Sequence, residues 1–209
     1  MTGRESGVRR AQDPRPAKTR AAIIDAANRL AWTQEAELSV AMIAKEAGIS
    51  RTSFYAQFKD LDDIAVQLIR ERFVEISQID DELRSAQAGG PATLATTSVL
   101  LDEFLARRHL FSVVLGAVGS ARVSGEAYRT IQGILAAGAR QTMLRVAPAG
   151  IDPDSAATFI AAGILAVIVD WLAADEAEAS IGTREELQDQ IIALLPTWVT
   201  NTQPPSTTP

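Results

Sequence analysis

The sequence predicts an all-α protein, and three observations lead there. Apolar residues recur at helical period in almost every segment. No stretch alternates convincingly as a strand, and the caps, glycines and prolines fall where helices need ends. The pattern gives about nine helices: a three-helix N-terminal unit built around a helix-turn-helix, and a larger helical body.

Residues 1–16 carry Gly3, Gly7, Pro14 and Pro16 among polar and basic residues, which predicts a disordered arm. The first helix begins near Ala17, with Pro16 suited to a first turn, and Ile23, Ala26, Ala27 and Leu30 share one buried face. Ser39 caps a short helix over 40–47 that Gly48 ends, and Ser50 caps a second over 51–57. Asp60 caps a long helix reaching about residue 86, with Asp62 and Asp63 at the positive end of its dipole. Ala88-Gly89-Gly90-Pro91 breaks the chain. Helices are then expected at about 92–107, 109–120, 124–146, 153–177 and 184–199. Asp152-Pro153 starts the fourth of these, and Thr183 with Glu186 forms a capping box for the last. Thr200–Pro209, with three prolines and four threonines, reads as a disordered tail. The expected domains are therefore 17–60 and 61–199.

Composition narrows the chemistry. With no cysteine and one histidine, His109, thiolate metal sites and disulfides are excluded. No metal-ligand cluster, phosphate-cradling loop or cofactor motif is present in the sequence, so neither metal nor cofactor is expected. Asp80, Asp81 and Glu82 read as a solvated face. The net charge of −6 is unevenly spread: residues 1–60 carry ten Lys/Arg against seven Asp/Glu, the remainder ten against nineteen. A basic beginning on an acidic body suits a protein that offers one end to phosphate. The apolar run from Ala156 to Val169 is stopped by Asp170 and lacks flanking cations, so it reads as a deeply buried helix rather than a membrane span. No secretory leader is evident, and a soluble, cytoplasmic protein is expected.

The segment Leu38–Asp60 carries the functional information. Val40, Ile43, Ala44 and Ala47 form the inner face of its first helix, and Ile49, Phe54 and Phe58 complete a small core. Gly48 supplies a turn conformation that is costly for a residue with a Cβ. Arg51, Thr52 and Ser53 are left at the exposed N-terminus of the second helix, the part that enters the major groove in helix-turn-helix proteins.

From Thr19 to about Ile64 the chain resembles the DNA-binding domain of the TetR family of transcriptional regulators. The matched features are Arg20, Ile23, Ala26-Ala27 and Leu30, then Ser39-Val40, Ile43-Ala44, Ala47-Gly48-Ile49-Ser50, Phe54-Tyr55 and Phe58. No single element is specific; their order and spacing are. The resemblance implies that Arg51 and Thr52 read base edges with Ala41 close to the groove. It implies phosphate contacts from Thr19, Arg20, Ser39, Ser53, Tyr55, Gln57 and Lys59, which position rather than specify. In three places the chain departs from the family pattern. Gln57 stands where histidine is frequent, Leu61 stands where lysine is expected, and no glycine precedes Leu38-Ser39. The missing lysine shifts weight onto Arg9, Arg10, Arg15 and Lys18.

The resemblance further implies a repressor that binds a palindromic operator in double-stranded DNA as a homodimer, under control of a small-molecule effector. The acidic body favours a neutral or apolar effector. Phe104, His109, Phe111, Tyr128, Met143, Phe159 and Trp171 are the candidate pocket residues. Two stripes at helical spacing are candidates for the dimer interface: Ile160, Ile164 and Val167, and Leu187, Ile191, Leu195 and Trp198. The same stripes are compatible with intramolecular core, and a helical protein-interaction scaffold or an all-α enzyme remain as alternative readings.

Overall fold

The computed structural model describes residues 15–31, 38–86, 89–115, 125–173 and 183–200. These residues form ten helices and no strand: α1 (Arg15–Ala31), α2 (Val40–Glu46), α3 (Arg51–Tyr55), α4 (Leu61–Ser85), α5 (Gly89–Ala106), α6 (Arg108–Val114), α7 (Gly125–Val146), α8 (Pro153–Ala173), α9 (Arg184–Leu194) and α10 (Thr197–Thr200). The fold class is the one expected, but several ends move. α1 starts at Arg15, with Pro16 in its first turn. α3 stops at Tyr55, where the Ala56 N–H bonds the Thr52 carbonyl and the Gln57 N–H the Phe54 carbonyl, a tightened final turn. Gly90 and Pro91 form the first turn of α5 rather than a break before it. The single C-terminal helix expected over 184–199 is two helices, because Pro196 has no N–H to continue α9. The arm up to Pro14, the loop after Trp32, the ends expected at 116–120 and 174–177, and the tail beyond Thr200 lie outside the described residues.

Local chemistry fixes the N-terminal unit. The Ser39 side chain accepts from the Met42 N–H at 3.3 Å and that of Ser50 from the Ser53 N–H at 3.0 Å. Between them Gly48 sits at φ +67°, and the Ile49 N–H returns to the Ala44 carbonyl at 2.9 Å. Ile23, Ala26, Ala27, Ile43, Phe54 and Phe58 are buried together, and each large apolar side chain so removed from water stabilises the unit by roughly 1.5–3 kcal/mol.

α4 belongs to two sets of neighbours. Its start is capped by Asp60, whose carboxylate accepts from the Asp63 N–H at 2.8 Å, while Asp63 accepts from the Lys59 N–H at 2.9 Å. Ile64, Ala65 and Leu68 close the small N-terminal core. Farther along, the helix packs against α5 and α7. At 25 residues it is about 37 Å long at 1.5 Å per residue. Buried Glu103 on α5 ties it down, accepting from Arg72 of α4 at 3.1 Å and from Arg107 at 2.5 Å.

α7 and α8 pair along their length, and α9 and α10 cover α5. α8 is long and apolar enough to cross a membrane by length and composition, with a mean hydropathy of 2.1, yet only 39% of that stretch is buried. The expectation of a deeply buried helix therefore holds for one face. Ala157, Ile160, Ala161, Leu165 and Ile168 point inward, whereas Phe159, Gly163, Ala166 and Asp170 are exposed at spacings of four, three and four residues.

Candidate nucleic-acid interface

Arg51, Thr52, Tyr55 and Lys59 lie on the exposed side of the α2–α3 unit. The anchor is Phe54, fully buried and packed against the tilted ring of Phe58, centroids 6.2 Å apart. Tyr55, the next residue, is consequently turned outward and is 59% exposed, its ring edge-on to Phe54 at 5.6 Å. Among the described residues Arg51 and Lys59 make no ion pair, so both cations are available to an external anion. Ala41 and Ser39 are half-buried at the start of α2, and the Ser53 hydroxyl already shares a hydrogen bond with that of Ser50 at 2.9 Å. Gln57 is half-buried behind α3. Leu61, which stands in place of an expected cation, packs against the core at the start of α4.

Two of the residues expected at phosphate are engaged inside the chain. The Arg20 guanidinium donates to Glu71 at 2.6 Å and to Gln67 at 3.2 Å, and lies 4.9 Å over the Phe58 ring. With its side chain only 21% exposed, Arg20 is a joint between α1 and α4 rather than a free phosphate ligand. The Thr19 hydroxyl donates back to the Arg15 carbonyl at 3.0 Å.

The residues expected to line an effector pocket mostly do something else. Phe104 and Phe111 are fully buried against each other, centroids 4.5 Å apart. Trp171 lies under the Arg108 guanidinium at 4.4 Å, and Tyr128 packs on the core. His109 is half-buried; burial, then the neighbouring Arg108 charge, holds its imidazole below the ordinary histidine range. Phe159 is 76% exposed, the opposite of a pocket residue. Only Met143 among the seven borders the partly open cavity of about 140 Å³ lined by α4, α5, α7, α8 and the C-terminal segment. That cavity is walled by Phe73, Ile76, Leu100, Leu135, Met143 and Ile164, with Asp80, Arg84, Thr93 and Thr142 also on its lining. Asp80 is thus buried and not part of a solvated face; its i, i+4 spacing to Arg84 was the available signal.

The proposed dimer stripes also turn inward. Leu187 and Ile191 are buried in the core of their own subunit, Val167 packs on that core, and Trp198 packs beside Val199. Ile160, Ile164 and Leu195 face the cavity. None of the seven forms an open face, because the amphipathic stripe of each helix is satisfied within the chain.

Comparison with known proteins places these features. Residues 23–68 match the model of the family described as bacterial regulatory proteins, tetR family. An uncharacterized HTH-type transcriptional regulator of Haemophilus influenzae is 32% identical over 102 residues, 48% of each chain, so the match spans about half the length of that relative. In fold, the chain is similar to a TetR-family transcriptional regulator of Syntrophomonas wolfei, with a TM-score of 0.62, 16% identity, and coverage of 85% of this chain and 92% of the other. It is also similar to NalD of Pseudomonas aeruginosa, described as the secondary repressor of a multidrug efflux pump (TM-score 0.55, 18% identity, 87% and 97% covered). FadR of Bacillus subtilis, solved with stearoyl-CoA, gives a TM-score of 0.54 at 18% identity, with 86% and 97% covered.

The Arg20 joint makes a testable statement. In a double-mutant cycle of Arg20→Ala and Glu71→Ala followed by urea unfolding, the pair should couple by about 0.5 kcal/mol, the modest value of a partly exposed ion pair. Additive effects would mean that Arg20 has no structural partner in Glu71.

Proposed function

We propose that the chain is a member of the tetR family of bacterial regulatory proteins, whose model its residues 23–68 match, and that it is a repressor that binds a palindromic DNA operator as a homodimer and is released or engaged by a small molecule. Residues 17–60 act as the reader and residues 61–199 as the effector-binding and dimerising body. A location in the cytoplasm goes with DNA as partner. The observation that supports the DNA role best is the outward row of α3: Arg51 and Thr52 at its capped N-terminus, with Tyr55 held outward by buried Phe54.

In this reading α3 lies in the major groove. Arg51 and Thr52 meet base edges, with Ala41 close by, and a bidentate arginine–guanine pair contributes about 1–3 kcal/mol of discrimination. Tyr55, Lys59, Ser39 and Ser53 hold the phosphates. Two readers one helical turn apart, about 34–36 Å or a multiple of it, match a palindrome. The described repressor role of NalD and the acyl-CoA bound to FadR support a repressor with an effector. For this chain the effector site is the cavity beside α4, which replaces the aromatic set expected from sequence.

The second copy is placed on the outward face of α8. An apolar helix whose most apolar stretch is only 39% buried in its own subunit calls for another cover in water. Exposed Phe159 supplies an apolar knob, Gly163 and Ala166 permit close backbone approach, and exposed Leu194 on α9 adds to the apolar surface available.

A duplex selected by the unmodified chain from a randomised pool serves as the DNA probe. Arg51→Ala should weaken binding by about 1–3 kcal/mol and relax the preference at one base pair, whereas Lys59→Ala should weaken all sequences alike and reduce the salt slope by about 1. Equal binding by both variants would remove α3 as the reader, and failure to select any duplex at low salt would favour the scaffold reading. In size-exclusion chromatography with light scattering, the chain should run at twice its 22.3 kDa mass, and Phe159→Asp with Ala166→Arg should run at the single mass. An unchanged dimer in that double variant would place the interface elsewhere.

A further inference from the structure

The cavity beside α4 is more than an apolar void. At one end Arg84 donates to Asp80 at 2.8 Å, to Thr93 at 3.0 Å and to the Val199 carbonyl of α10 at 3.3 Å. Asp80 also accepts from Thr142 of α7 at 2.7 Å. One ion pair therefore gathers four helices around the polar end. The other charged group on the lining, Asp81, is paired with Arg145. Every charged residue that borders the cavity already has its counter-charge.

Taking the effector reading above as given, we infer that this cavity binds an uncharged apolar molecule whose held portion is ring-sized and carries one hydroxyl or carbonyl group. Three features of the site define that chemistry. A ligand charge would be buried without a free counter-ion, which a low-dielectric site penalises heavily. The apolar walls of Phe73, Ile76, Leu100, Leu135 and Ile164 take a hydrocarbon body. A guanidinium has five N–H groups, and three of those on Arg84 are directed at Asp80, Thr93 and Val199, which leaves donors for one acceptor on the ligand. Size sets the remaining limit. About 140 Å³ is close to the cavity of about 150 Å³ that admits benzene, so the portion of the ligand held between the helices is ring-sized.

The test uses the full chain at neutral pH and calorimetry with three probes: phenol, benzoate and dodecanoate. Phenol should bind at least about tenfold more tightly than benzoate, and dodecanoate should not compete with it. Asp80→Asn frees the Arg84 charge and should close or reverse the phenol–benzoate gap. Because that variant opens a buried pair, Ala139→Phe is run beside it: the substitution fills the cavity from α7 and should abolish phenol binding while circular dichroism stays unchanged. Benzoate or dodecanoate binding as tightly as phenol to the unmodified chain, no phenol binding at all, or phenol binding that survives Ala139→Phe would each overturn the inference. DNA affinity is measured separately. Phenol that fills the cavity and leaves DNA binding unaltered would overturn the effector reading while leaving the ligand chemistry intact.

Discussion

α4 is one continuous helix along which a single hydrophobic core runs from the α2–α3 unit into the helical body. Ile64, Ala65 and Leu68 near its start complete the core that holds α3 in place, and Phe73, Ile76, Asp80 and Arg84 farther along form one wall of the cavity. A helix transmits displacement along its axis because each turn is hydrogen-bonded to the next. Phe73 is twelve residues from Leu61, about 18 Å of helix. A shift at the cavity wall therefore has a rigid path to the α2–α3 unit, provided the joints at both ends hold. Arg20, clasping Glu71 and Gln67, is the joint to α1, and Glu103, between Arg72 and Arg107, is the joint to α5.

Electrostatics divides the molecule in the same way. On the α2–α3 side, Arg51 and Lys59 make no ion pair among the described residues and are exposed; in the body, Arg72, Arg84, Arg107, Arg145 and Arg184 are paired with carboxylates. The uneven charge in the sequence thus leaves unpaired cations beside α3, while the body pairs many of its arginines and keeps an excess of carboxylates. Buried pairs such as Asp80–Arg84 offset most of their own desolvation and add little net stability, but removing either partner leaves an uncompensated charge. The Asp80–Arg84 pair joins α4 to α5, α7 and α10 at the end of the cavity.

Most of the reader was legible in the sequence because its determinants are local. Ser39, Ser50 and Asp60 cap helices that begin one residue later, and Gly48 turns the chain between two of them. The body was legible as helices and not as surfaces. An apolar stripe such as Leu187 and Ile191 says that a face is covered, never by what, and here it is covered by the same subunit. Aromatic residues behaved likewise: Phe104 and Phe111 found each other, while the cavity was walled by aliphatic residues and Phe73. Arg20 looked like a phosphate ligand because its partner, Glu71, is 51 residues away in sequence. The split after Leu194 was available beforehand in Pro196.

Gly138 offers direct access to the coupling along α4. It lies on α7 against Phe73, and a Cβ added there would sit 2.5 Å from the Phe73 ring, so Gly138→Ala must displace that ring, which forms part of the α4 wall of the cavity. Gly133, on the same helix, has open space at its Cβ position and provides the matched control. The decisive measurement is operator affinity by fluorescence anisotropy for both variants without any ligand. Coupling through α4 predicts that Gly138→Ala changes affinity by about 1 kcal/mol or more while Gly133→Ala leaves it unaltered. Equal affinities for the two folded variants would contradict the account, because the cavity wall would then move without the reader feeling it.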